Sequence, residues 1–499
     1  MNKRIICVLL TVLILVLSGC SNHKVGIFTE DHTNNSSVSH GTPNKNDKDK
    51  HENNSEEITS ANTESDEKSE NKFVKVEENP VSSVVMNSSI SSYLYFRTLV
   101  NRDYTFDQIK KCSYGFNVEE FINYFDLSTD FHSMSKGIGE SLFDCPWNED
   151  TLIYRFTVRR QAAESTLPNN LVLCIDISES MAREDVLPLF KKVFPHFVSS
   201  IDIYDTISIV TSTGTSEVVL SGCRGDWSDQ ILEAMDSIEI TADSNTNTDI
   251  EAAYEIAKRH FIPGGNNRVI IVSDGDIPGK LSSIVEKKVS EGIYTDVLGL
   301  GYSNYKNEKL EHFASKGMGR YYYIDCESEG EKVLGSELFK QYYDFGDITA
   351  TVEFDSRYVE EYRLIGYARQ SEASGEANEP DETVRNGTSG FTMTVCYELK
   401  LKDTEIPKYG KIAKMIINDG ADVEYPITLD MYTAEIDEDM LFMSAVIKTV
   451  MILQESEYIG SLTLEGVFTE LQELDLEEYP ERAEFASLIY KIIYSDKAK

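Results

Sequence analysis

The chain has 499 residues, 41% of them hydrophobic, with 47 Lys and Arg against 85 Asp and Glu, a formal net charge of −38. That length predicts roughly two to four domains, and that apolar content is enough for packed cores. The acidity argues against nucleic acid as a partner, because a nucleic-acid-binding face is basic.

In chain order, the first feature is a targeting segment. Lys3 and Arg4 precede an apolar run from Ile5 to Leu17, followed by Leu17-Ser18-Gly19-Cys20. Residues 1–20 resemble a bacterial lipoprotein signal, which implies cleavage before Cys20 and lipidation of its thiol. An ordinary secretory leader with a chance cysteine is the alternative. A lipid on Cys20 would anchor the protein to the membrane, facing the extracytoplasmic side. Later stretches fall short of a membrane span. Met440–Leu453 comes nearest, but it is short and contains Lys448.

Residues 21–88 are rich in Asn, Ser, Glu, Asp, Lys and His. Such a segment buries too little apolar area to offset its ordering entropy, which predicts a disordered tether. Residues 89–169 form a flanking segment. Tyr93–Asn101 reads as a short helix. Val118, Phe121, Ile122 and Phe125 recur at helical spacing, and Thr151–Arg159 alternates like a strand.

Residues 170–343 alternate between strands and helices. Val/Ile-rich runs at Leu171–Ile177, Arg268–Ser273 and Thr295–Leu300 are separated by amphipathic stretches, which predicts an α/β fold with a doubly wound, mostly parallel sheet. Thr206–Thr211 and Glu217–Leu220 read as a hairpin, so one antiparallel edge strand is expected. Residues 344–436 read as a β-rich domain with strands at Ile348–Phe354, Val359–Tyr367, Phe391–Leu401 and Lys411–Ile417. Thr151–Arg159 is a candidate to pair with them, so that the α/β domain is inserted into a discontinuous sheet domain. Residues 437–499 read as helical, with one strongly apolar helix over Asp439–Gln454.

Six cysteines lie beyond Cys7 and Cys20: Cys112, Cys145, Cys174, Cys223, Cys326 and Cys396. None forms a C-x-x-C pair, which speaks against a zinc site. Their pairing is not readable from spacing.

The chemistry concentrates at Leu171–Met181, LVLCIDISESM. An apolar strand runs into Asp176, Ser178 and Ser180 just before a helix, at the edge where open α/β sheets place ligands. One carboxylate and two hydroxyls form half of a hard-cation site, since Mg²⁺ prefers oxygen donors and keeps several waters. A strand end with a serine helix cap is the bland alternative. Further on, Ala242–Thr248 is dense in hydroxyls and carboxamides, and the strand at Arg268–Ser273 ends in Ser273-Asp274-Gly275-Asp276. In a parallel sheet this end lies beside Asp176. Asp274 taken alone reads as a turn carboxylate before glycine.

The stretch resembles the metal-ion-dependent adhesion site (MIDAS) of von Willebrand factor type A domains, Asp-x-Ser-x-Ser completed by a Thr and an Asp from later loops. The resemblance implies a site of Asp176, Ser178, Ser180, Ser244 and Asp274, with Thr246 the alternative to Ser244. It implies Mg²⁺, or Mn²⁺ or Ca²⁺, as cofactor. Segments such as Glu119–Phe125, Glu360–Tyr367 and Tyr479–Phe485 are similar to a bacterial subgroup with flanking domains of undefined role. Two departures stand out: Glu179 takes the place of a usual glycine, and Ala242-Asp243-Ser244 replaces Gly-Ser-Thr.

These readings point to a lipid-anchored surface protein, not an enzyme, that binds a protein or peptide ligand bearing an acidic residue. A metal-independent scaffold of an envelope assembly is the competing reading. A phosphate-ester hydrolase is a further one, although its chemistry wants a second Asp where Ser178 stands. G-x-x-x-x-G-K-[ST], H-E-x-x-H and G-x-S-x-G are all absent.

Overall fold

The computed structural model describes residues 70–86, 89–127, 137–159, 167–213, 216–241, 250–275, 282–301, 308–339, 342–344, 348–368, 386–388, 392–418 and 421–495. The expected signal peptide and nearly all of the expected tether lie outside them.

Regular structure begins earlier than the sequence suggested. β1 (Val74–Lys75) and β2 (Val81–Val85) both pair with later strands, so the part of the tether expected over 21–88 that falls on these strands is ordered instead. Local composition hid them because their partners are hundreds of residues away. Val76 and Val84 are each 1% exposed. Helices α1 (Ser91–Asn101), α2 (Phe106–Cys112) and α3 (Val118–Ile122) follow. Thr105 starts α2 with a capping box, its hydroxyl taking the Gln108 N–H while the Gln108 side chain takes the Thr105 N–H. Next come β3 (Ile138–Asp144) and β4 (Leu152–Arg159).

The α/β portion runs β5 (Asn169–Asp176), α4 (Leu187–Ser199), β6 (Thr206–Ser212), β7 (Ser216–Arg224), α5 (Ser228–Asp236), α6 (Glu251–Arg259), β8 (Asn266–Ser273), α7 (Ser282–Val289), β9 (Tyr294–Leu300), α8 (Glu308–Lys316), β10 (Tyr321–Ile324) and α9 (Glu327–Gly335). The strands form one sheet in the order β10-β9-β8-β5-β6-β7. All neighbours are parallel except the hairpin β6–β7. The expected doubly wound sheet with one antiparallel edge strand is borne out. Both faces of β5 are covered. Leu171, Leu173 and Ile175 pack with Phe190 and Phe194 of α4, while Val172 and Cys174 pack with Tyr254 and Ala257 of α6. Double coverage explains the unbroken apolar run, because neither face of the strand meets water.

The remainder comprises β11 (Tyr342–Asp344), β12 (Thr349–Phe354), β13 (Val359–Ile365), β14 (Asn386–Thr388), β15 (Thr392–Leu401), β16 (Lys411–Asn418), β17 (Asp422–Thr428), and helices α10 (Glu438–Leu453), α11 (Leu464–Leu471) and α12 (Pro480–Ser495). Strands β3, β17 and the first two were not anticipated; β17 shows the alternation Val423, Tyr425, Ile427 but only its pairing with β16 makes it a strand. An antiparallel sheet β1-β13-β15-β4-β3 faces a second, β17-β16-β12-β2, across one core. β4 does pair with β15, from Thr392 opposite Arg159 to Leu399 opposite Leu152. The other face of the five-stranded sheet supports the helices: Ile153, Ile365 and Cys396 join Phe121, Phe125, Phe442, Val446 and Phe485. Thus α1–α3 and α10–α12, far apart in sequence, share one core. Burial on every side explains why α10 is apolar all round. No helix among the described residues is long and apolar enough to cross a membrane.

Candidate metal centre

The site is assembled by strand register. β5 and β8 each begin with Asn-Asn, and Asn169 lies opposite Asn266, Asn170 opposite Asn267. The Asn266 amide donates to Asn169 Oδ1 at 2.7 Å, and the Asn170 amide donates to Asn267 Oδ1 at 3.1 Å. Asn267 also accepts the Ile262 N–H at 2.9 Å and donates to the Ile262 carbonyl at 3.0 Å. Buried amides of this kind demand partners, so they pin the two strands at their amino ends. Seven residues on, the carboxyl ends of both strands meet, and Ser273 Oγ donates to Asp176 Oδ2 at 3.3 Å.

Past β5 the chain turns sharply. Asp176 Oδ1 accepts the Ser178 N–H at 2.9 Å. This short loop closure aims the Ser178 and Ser180 hydroxyls to one side, where their oxygens stand 3.2 Å apart. Ser180 Oγ donates to Asp274 Oδ1 at 3.0 Å, across the end of β8. Asp274 is followed by Gly275 at φ 135°, a conformation that L side chains rarely adopt. Asp176 and Ser178 are 7% and 4% exposed, whereas Ser180 and Glu179 face solvent. The departure at Glu179 therefore adds a carboxylate to the rim and not to the oxygen cluster.

Electrostatics mark the same place. Burial pushes the Asp274 carboxyl above its ordinary range; the Ser180 hydroxyl opposes this, the charge of Asp176 adds to it, and the Arg183 guanidinium opposes it. Arg183 is held by Asp185, donating through Nε at 3.1 Å and Nη2 at 2.9 Å. Gly301, at the end of β9, leaves the room that Arg183 Nη2 occupies.

Of the expected site residues, the structure brings together Asp176, Ser178, Ser180 and Asp274. Ser244, its alternative Thr246, and Cys20 lie outside the described residues. Thr241, immediately before that loop, donates its N–H to the Ile177 carbonyl at 3.0 Å. Its hydroxyl is buried without a hydrogen-bond partner among the described residues. Sequence reading passed over Thr241, Ser273 and Arg183; Ser273 stood in the Ser-Asp-Gly run, and the other two carried no local signal. Among the described residues there is no cluster of three or more His, Cys, Asp or Glu suited to a metal. The oxygen set here is of another kind, two carboxylates with three serine hydroxyls and no imidazole or thiolate. That chemistry fits a hard divalent cation that keeps part of its water. Cys112, Cys145, Cys223, Cys326 and Cys396 are free thiols.

Residues 171–276 match the family model of the von Willebrand factor type A domain, and residues 59–155 match a model described as von Willebrand factor. The chain is 27% identical over 463 residues to the uncharacterized protein YfbK of Escherichia coli strain K12, covering 84% of this chain and 79% of that protein. Among solved structures, a von Willebrand factor type A protein from Catenulispora acidiphila is 12% identical, with a TM-score of 0.32, over 72% of this chain and 98% of the other. Proximal thread matrix protein 1 of the mussel byssus, with zinc in its MIDAS motif, is 12% identical, with a TM-score of 0.27, over 38% of this chain and 51% of the other. The chain is thus similar to bacterial proteins containing a von Willebrand factor type A domain, and that match falls on the segment that carries β5, β8 and the oxygen cluster.

Proposed function

We propose that the edge formed by β5 and β8 binds a divalent cation, Mg²⁺ or else Mn²⁺ or Ca²⁺, and uses it to capture a protein or peptide ligand. Ser178, Ser180 and Ser244 would donate hydroxyl oxygens. Asp176 and Asp274 would hold the metal's waters and supply negative charge. With few anionic direct ligands the cation stays electrophilic, and an Asp or Glu of the ligand would complete its coordination. The observation that carries this reading is the hydrogen-bonded run from Asp176 through Ser178 and Ser180 to Asp274, which gathers oxygens from two strand ends at one point.

The signal-like segment ending at Cys20 supports placement on the extracytoplasmic face of a membrane through a lipid. Cys20→Ala should then move the protein from the membrane fraction to the soluble one. Asp176 serves here as a metal-water acceptor and not as a nucleophile, so a phosphatase screen should find no turnover that Asp176→Asn removes. The deciding experiment is calorimetric titration of Mg²⁺ and Mn²⁺ into the protein and into Asp176→Ala. Saturable one-site binding, lost in the variant, is the expected result. Absence of binding in both proteins would leave the metal-independent scaffold.

A further inference from the structure

A second cluster of carboxylates lies at the same end of the sheet, past β10, and it is closed from outside. Arg97 of α1 has a fully buried side chain, 0% exposed. Its guanidinium reaches Asp325, just beyond β10, through Nη2 at 2.5 Å and Nε at 3.2 Å. It reaches Glu329 of α9 through Nη1 at 2.9 Å, and Glu484 of α12 through Nη1 at 3.4 Å. Arg97 also donates to the Tyr124 hydroxyl at 2.8 Å, and that hydroxyl donates to Glu329 at 2.9 Å. One side chain thus joins the α/β domain to helices from both ends of the helical layer.

The charges do not balance. One guanidinium faces three carboxylates, and the Asp325 and Glu329 side chains are only 5% and 3% exposed. An uncompensated charge in such a place is costly, and taking up a proton is the usual escape. The geometry says where the proton goes. Asp325 receives two guanidinium bonds and the Thr98 hydroxyl at 3.3 Å. Glu329 receives the guanidinium and the Tyr124 hydroxyl. Glu484 receives a single long bond and, at 23% side-chain exposure, has the best access to solvent. Beside it, the Tyr93 hydroxyl is buried with no hydrogen-bond partner among the described residues, its ring stacked on Tyr124 at 4.0 Å.

We propose that this joint is a proton-operated latch: it closes with one proton on Glu484, and loss of that proton frees α12 from the α/β domain. The groups facing Glu484 are consistent with it. Burial raises the Glu484 carboxyl above its ordinary range, Arg97 opposes this, and Asp325 and Glu329 reinforce it. Tyr93, Tyr124 and the Cys326 thiol are all pushed up by burial and stay protonated near neutrality. Lys332 of α9 stands over the Tyr124 ring, 4.1 Å from its centroid. On α12 itself, Arg482 is committed to Asp439 at 2.6 Å, and Lys491 to Asp103 at 3.0 Å. The sign follows from linkage. The closed form holds a proton that the open form releases at the ordinary carboxylate pH, so closure is strongest at low pH. It weakens as pH rises from that ordinary value to the raised one.

The test is hydrogen exchange of the α12 amides in the full chain and in Glu484→Gln, which mimics the protonated form. As pH rises from the ordinary carboxylate value through the raised one, after allowance for intrinsic exchange, protection of α12 should fall severalfold in the unaltered protein and stay within about twofold in the variant. The variant should melt above the unaltered protein at the higher pH and with it at the lower. Equal pH dependence in both proteins, or none in the unaltered one, overturns the latch. So does a Glu484→Gln protein that fails to fold, since a neutral group at 484 is the closed form.

Discussion

The carboxyl edge of one parallel sheet carries two acidic clusters, and they are handled in opposite ways. At β5 and β8, Asp176 and Asp274 are bound by serine hydroxyls and a backbone N–H, and Ser180 beside them is open to solvent. At β10 and α9, Asp325 and Glu329 are buried against Arg97, a cation brought in by a distant part of the chain. Hydroxyls are neutral, so they orient a carboxylate without cancelling its charge. A guanidinium does both, so Arg97 offsets part of the charge gathered around it. On the proposed readings, the first cluster takes an ion from solution and the second fastens one layer to another.

The comparison breaks most readily at its metal end. Asp176→Ala should lower divalent-ion affinity by at least about tenfold, the scale seen when groups that orient metal ligands are removed; calorimetry with Mg²⁺ and Mn²⁺ reads this directly. The fastening end is tested by Arg97→Met. Leaving Asp325 and Glu329 buried without their partner should cost about 3–5 kcal/mol, measured by urea unfolding, and metal affinity measured well below the new midpoint should be unchanged. A joint change in both would mean the clusters are not separate devices.

Smaller effects sharpen the picture. Asn267→Ala removes the acceptor of both the Ile262 N–H and the Asn170 amide. It should cost about 1–3 kcal/mol. If register is what delivers Asp274 to Asp176, metal affinity should drop with it, even though Asn267 lies at the far end of the strand. Glu179→Gln changes an exposed rim residue and should move stability by no more than about 0.5 kcal/mol; a modest loss of cation affinity would show the rim charge at work.

Much of the fold could be read from local pattern. The run Leu171–Ile177 is apolar because β5 is covered on both faces, and the helical spacing of Leu189, Phe190, Val193 and Phe194 follows from packing against a single sheet face. Such signals are complete within ten or fifteen residues. The same holds for Asp176, Ser178, Ser180 and Asp274, since each sits at a strand end and parallel strands put their ends on one edge.

Other features are pairings across long separations, which no local window contains. Val81–Val85 is a strand because β12 lies beside it, and Asp422–Thr428 because β16 does. The helices around Phe121 and Phe485 form one core because the five-stranded sheet offers them a shared face. Arg97 lies in a short amino-terminal helix and carries no local signal; its burial among Asp325, Glu329 and Glu484 depends on three segments converging. Hydrophobic periodicity and strand-end chemistry are properties of the residues themselves, so the sequence alone determined the α/β sheet and most of its candidate site. Strand partners, layer order and the compensation of buried charge are properties of which segments meet, and those only the tertiary structure decided.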